Sequence, residues 1–152
     1  MKSILFIILL QIPLLNSDIS TIRTLYISAY TNELNCNLLG EKLNTIDDNT
    51  SILMQGYEGC FYFIKCKFMN NPIEKLIYFN KGKELLEDAI NQDPKSVELK
   101  FLRYSIQQNL PKFLLYHDNI EKDLNFVNRK IKSIKDKKVQ KFISTSLESI
   151  TK

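Results

Sequence analysis

The residues able to do chemistry are few and scattered. The chain has one histidine, His117, followed directly by Asp118. An imidazole beside a carboxylate is half of a general-base arrangement. The other half is an activated nucleophile, and no Ser or Cys stands in a context that would make one. A lone histidine in a loop reads as a surface or capping residue. One histidine cannot form a histidine metal cluster, and Cys36, Cys60 and Cys66 lack the close paired spacing of zinc sites. No glycine-rich phosphate loop occurs. The adjacent carboxylates Asp47-Asp48 and Glu87-Asp88 would diverge on a helix and read as solvated. The expectation is a protein without catalysis, metal or cofactor.

Two further groups bear on structure or binding. Cys60 and Cys66 lie six positions apart, about 600° of helical rotation, so they face different sides and cannot bridge each other. Cys36 with either of them is open, in an exported chain, as one disulfide with one thiol left over. Three buried thiols acting as small apolar residues is the favoured reading. Arg103 stands beside Tyr104 and one turn from Gln107, near the break at Pro111. Arg103, Tyr104 and Gln107 are the candidate lining of a binding groove. The competing reading pairs Arg103 with a carboxylate such as Glu84 or Glu98, or lays its stem over the core. Asn49-Thr50-Ser51 fits a glycosylation acceptor, but a loop followed by a helix cap is the favoured reading.

These residues need a scaffold, and composition limits its kind. The 152 residues are enough for one domain with a core, and 44% apolar with 25% charged residues is ordinary globular usage. Four glycines and four prolines are too few for the many turns of an all-β fold. The first residues have the layout of a secretory signal: Lys2, an apolar run from Ile4 to Leu15, then Asn16 and small Ser17. The run is short for a membrane span, and Pro13 interrupts it. No Cys follows closely, so a lipid anchor is not expected. Residues 1–17 are therefore read as a cleaved signal peptide and residues 18–152 as one helical domain, exported to a periplasm or secreted. Charge is uneven: from Glu121 to Lys152 nine Lys or Arg stand against four Asp or Glu. That basic end is a candidate for weak contact with an anionic membrane surface. With only Phe126 and Phe142 interleaved, and with export expected, nucleic acid is not.

Apolar spacings of three and four run through the whole chain, and period-two alternation does not. The fold class is all-α, with about six to seven helices after the signal. Ile22, Leu25, Tyr26 and Ala29 mark the first; Leu34, Leu38 and Leu39 the second, over about 33–43. A polar loop covers 44–50. Thr50 or Ser51 caps a third helix with Leu53, Tyr57, Cys60, Phe61, Ile64 and Phe68 as its stripe. This one is the most apolar and is placed centrally. Pro72 opens a fourth helix running to Asn91, with Ile73, Leu76, Phe79, Leu86, Ala89 and Ile90 inward and Gly82 in its middle. A mid-helix glycine costs about 1 kcal/mol against Ala, which a close helix crossing would explain. Ser96 caps a helix to Gln108 with Phe101, Leu102 and Ile106 inward, and a short piece spans 112–117. Asp118 or Asn119 caps the next, marked by Ile120, Leu124, Val127, Ile131 and Ile134. A break near 135–138 precedes the last, with Val139, Phe142, Ile143, Leu147 and Ile150.

The segment "LLEDAINQDPKSVELKFL" resembles the second helix of a tetratricopeptide repeat running into the next repeat. Gly82, Leu86, Ala89 and Pro94 follow that family's order and spacing, and Gly59 and Tyr62 resemble the glycine and tyrosine of its first helix. The distance from Gly59 to Gly82 exceeds the standard repeat, and one repeat is recognisable where about three normally stack. The resemblance implies degenerate α-α hairpins that bind a protein or peptide in a groove. The runs "NPIEKLIYFNKGKELLEDAI" and "VELKFLRYSIQQNLPKFLLY" also resemble a group of short exported bacterial proteins, which implies no activity. The function expected is an exported protein- or peptide-binding scaffold, with peripheral membrane association through the basic C-terminal helices as the alternative.

Overall fold

The computed structural model describes residues 14–45 and 51–150. Most of the expected signal segment and the 46–50 part of the expected loop, with Asn49 and Thr50 of the glycosylation triplet, lie outside the described residues. Seven α-helices follow one another: α1 (Leu14–Ala29), α2 (Glu33–Thr45), α3 (Ile52–Lys65), α4 (Pro72–Gln92), α5 (Val97–Asn109), α6 (Ile120–Lys130) and α7 (Lys137–Ile150). Short 3-10 turns occupy Cys66–Phe68, Lys112–Leu114 and Ile131–Ser133, and no strand occurs among the described residues. The chain is all-α, as its periodicity requires.

Local chemistry sets most helix starts. Ser51 caps α3, its side chain accepting from Met54 N, and Ser96 caps α5 by accepting from Leu99 N. Asn71 accepts from Ile73 N and Glu74 N, which leaves Pro72 at the first helical position, where its missing N–H costs nothing. Asp136 accepts from Lys138 N at 2.8 Å as α7 begins. Asn119 sits at the cap position of α6 without a side-chain capping bond. Its own N–H instead donates to the Oε1 of Gln107, 3.2 Å away on α5.

α3 is the hub, packed against α1, α2, α4 and α5. Its tightest contact is with α4, through two glycines. A Cβ on Gly59 would stand 2.8 Å from the Gly82 carbonyl oxygen and 2.8 Å from Leu86 N; a Cβ on Gly82 would stand 2.8 Å from the Gly59 carbonyl oxygen. The two backbones touch directly, which accounts for a glycine inside α4. Above this crossing Phe63 meets Phe79 edge-on at 5.4 Å and stacks with Tyr116 at 5.6 Å.

The inward faces partly differ from the expected stripes. Ile22, Tyr26, Ala29, Leu39, Tyr57, Cys60, Ile64, Leu86, Ala89, Ile143 and Leu147 are buried as their spacing requires. Leu34 and Leu38 are exposed, and so are Ile73 and Leu76 at the start of α4. That half of α4 runs beyond the elements it would need to pack against. α5 differs the other way: every residue from Glu98 to Gln107 is buried, polar ones included, because α3, α4, α6 and α7 all close on it.

Gly59→Ala is expected to destabilise the fold by about 1–3 kcal/mol, since the added methyl meets rigid backbone and outweighs the helix-propensity gain. Urea denaturation should show a lower midpoint; an unchanged or higher midpoint would refute the close crossing.

Candidate functional site

α5 carries two buried ionic clusters. Glu98 accepts from Arg23 Nε and Nη2, both at 2.8 Å, and from the Tyr57 hydroxyl at 2.5 Å, so α1, α3 and α5 meet on one carboxylate. Arg103 donates to Asp123 through Nε at 2.7 Å and Nη2 at 3.0 Å, and to Glu87 at 2.6 Å, joining α5 to α6 and α4. Burial alone would lower the Arg103 pKa, and the two carboxylates outweigh it and raise it. Burial first, and the nearby Arg103 charge second, lower that of Lys100, which lies 3.9 Å from Asp123. Pairs this buried mostly offset their own desolvation. Their consequence is positional.

The expected groove residues are therefore inside the protein. Arg103 is 4% exposed, Tyr104 2% and Gln107 0%. Arg103 does pair with carboxylates, but with Glu87 and Asp123 in place of Glu84 or Glu98. Gln107 binds the start of α6, and its Nε2 has no hydrogen-bond partner. None of the three forms an open wall. From sequence alone Arg103 and Gln107 look solvent-directed because their polarity is visible and their partners, 12–20 residues away, are not.

The site that does open outward is apolar. A groove of about 530 Å³ lies between the end of α3, the start of α4 and the segment after α5. Phe63, Ile64 and Ile106 reach it from the core; Leu76, Phe79 and Phe113 stand at its sides. Of its lining residues Leu76 is 57% and Phe113 78% exposed, and Ile73 and Ile77 on the same stretch of α4 and Leu115 next to Leu114 are 59–83% exposed. A cluster of large exposed apolar side chains marks a docking surface on a folded protein. Lys67 and Lys75 are the charged residues lining the groove, and no carboxylate lines it. Lys67 donates to the Tyr30 carbonyl and lies 5.8 Å from the Tyr30 ring centre, both neutral partners.

The wall after α5 is tied to the core through Tyr116. Leu115 adopts a left-handed conformation with φ 50°, the one non-glycine residue among those described to do so. Its N–H donates to Lys112 O at 3.2 Å. Tyr116 next to it turns inward, stacked on Phe63, with its hydroxyl donating to Glu87, the same carboxylate that Arg103 binds. His117 is half-buried, with Nε2 against the Leu110 carbonyl oxygen at 3.2 Å. Its role is to close this loop; Asp118 beside it is exposed. A conformation strained for leucine, fixed on both sides, leaves Phe113 and Leu115 pointing out. A sequence signal for this surface exists: Leu76-Ile77-Tyr78-Phe79 is a longer apolar run than one helix face can bury.

The three cysteines are free thiols: Cys36 and Cys60 buried, Cys66 half-buried with Sγ near the Tyr62 and Lys75 carbonyl oxygens. Burial pushes the Cys36 thiol up to about 11 and that of Cys60 higher still. Thiols so protonated are poor nucleophiles. Among the described residues no group of three or more His, Cys, Asp or Glu could hold a metal ion, and no helix is long and apolar enough to cross a membrane. A second, wider cleft of about 890 Å³ runs between α1 and α7, with Ser20, Thr24, Lys138 and Lys141 in its walls. Compared with known proteins, the chain matches no family model, no curated protein and no solved structure.

Asp123→Ala leaves Arg103 buried beside a single, partly exposed carboxylate. A loss of about 3–5 kcal/mol is expected by urea denaturation; a loss within the error of the measurement would refute the buried pairing.

Proposed function

We propose that this is an exported binding protein without catalysis, and that its working surface is the apolar groove at the start of α4. It acts by taking up apolar side chains of a protein or peptide partner. The observation that carries this is the pinned loop: Leu115 is held in a conformation costly for leucine, and the result is two large apolar side chains in solvent at the mouth of a cavity that reaches the core. The resemblance of the Gly59–Pro94 region to a tetratricopeptide repeat is supported by the glycine contact between α3 and α4, and such helix pairs characteristically serve as binding scaffolds.

A displayed random-peptide library panned on the protein tests this. Selected peptides should lose at least roughly tenfold in affinity, about 1.4 kcal/mol, against Phe113→Asp and Leu76→Asp, two exposed positions. Peptides that bind the variants and the parent equally would sink the reading.

The basic end favours a second reading. Lys132, Lys135, Lys137, Lys138 and Lys141 are all exposed, as a helix resting on an anionic membrane requires. Flotation with anionic vesicles should then fall strongly when Lys137, Lys138 and Lys141 are changed to Glu, and should be negligible on neutral vesicles; equal flotation in all cases rejects it.

A further inference from the structure

We infer that the occupant of the groove is an acidic amphipathic helix of a partner polypeptide. This rests on the binding role proposed above and names the partner's chemistry. Three observations lead to it.

The first is size. Ile73, Ile77 and Leu115 are exposed outside the groove walls, which include Leu76 and Phe113. A small ligand lying in the cavity would leave these three side chains in water. An occupant that covers both must extend over the rim.

The second is the backbone. Helices and one tight loop form the surroundings, and no strand occurs among the described residues. A polypeptide that binds in extended form gains main-chain hydrogen bonds by adding to a sheet edge, and otherwise leaves its N–H and C=O groups to water. This groove offers no such edge, which favours a partner that satisfies its own groups, as a helix does, and presents apolar residues at spacings of three and four.

The third is charge. Lys67 and Lys75 line the groove without a carboxylate among the lining residues. They come from the two sides of one corner: Cys66 Sγ contacts the Lys75 carbonyl oxygen at 3.4 Å. Acidic residues flanking the partner's apolar stripe would meet this corner, speed association and set orientation.

The test uses the full chain and three synthetic helices that share one leucine stripe, with Glu, Gln or Lys at the remaining positions, read by fluorescence anisotropy. The Glu helix should bind roughly tenfold tighter than the Gln helix at low salt, with the Lys helix weakest, and the spread should shrink as salt rises. Lys67→Glu with Lys75→Glu should reverse the order. Lys95→Glu with Lys130→Glu, on exposed positions elsewhere, should preserve it and so separates a local effect from net charge. Equal binding of all three helices through a Leu76-dependent site would overturn the acidic partner and keep the groove. Failure of every helix to bind, or binding indifferent to Leu76→Asp, would overturn both. Release of the Glu helix by anionic vesicles would assign the groove to a lipid surface and overturn the inference.

Discussion

The contact of Gly59 with Gly82 is the constraint on which the rest of this fold depends. With backbone against backbone at that point, α3 and α4 approach more closely than side chains would allow. Leu86 then fills the space one turn along, and Phe63 and Phe79 come edge to face above it. Tyr116 completes the aromatic group and carries the loop after α5 with it. The groove exists because α3 and α4 are pinned at the glycines while α4 begins well before the crossing, at Pro72. Its first turns project past the core and have nothing to cover them.

The buried ions solve a different problem. α5 passes through the middle of the molecule and would pack as well in several rotations about its axis if it were uniformly apolar. Glu98 and Arg103 remove that freedom: each has partners on two other helices, and rotation would leave a charge buried and unpaired. Glu87 serves twice, binding Arg103 and the Tyr116 hydroxyl. The charge cluster and the groove wall are thereby one connected structure, with Arg103 binding from behind the carboxylate that holds Tyr116.

Much of the architecture is legible in the chain because the responsible rules are local. Ser51, Asn71 with Pro72, Ser96 and Asp136 each terminate an element by hydrogen bonds to backbone within three residues, and spacings of three and four mark the helices between them. The glycine in α4 announced a close crossing for the same reason: its cost is local and needs a return. The candidate site was less legible. Ile73 and Leu76 obey the helical period as faithfully as Leu86 and Ala89 do, yet the first pair faces water and the second the core.

By itself, then, the sequence determined that the chain is helical, where most of the helices begin, and that the glycine inside α4 marks a close crossing; that Gly59 meets it there is decided by the tertiary structure. Periodicity and capping operate within one or two turns and leave their mark on neighbouring residues. Only the tertiary structure decided which apolar residues stay outside, that Arg103 finds Glu87 and Asp123, and that Tyr116 is an anchor while Phe113 and Leu115 are displayed. Burial and ion pairing depend on what comes to lie opposite, from elements tens of residues away, and a helical stripe is the same whether or not something arrives to cover it.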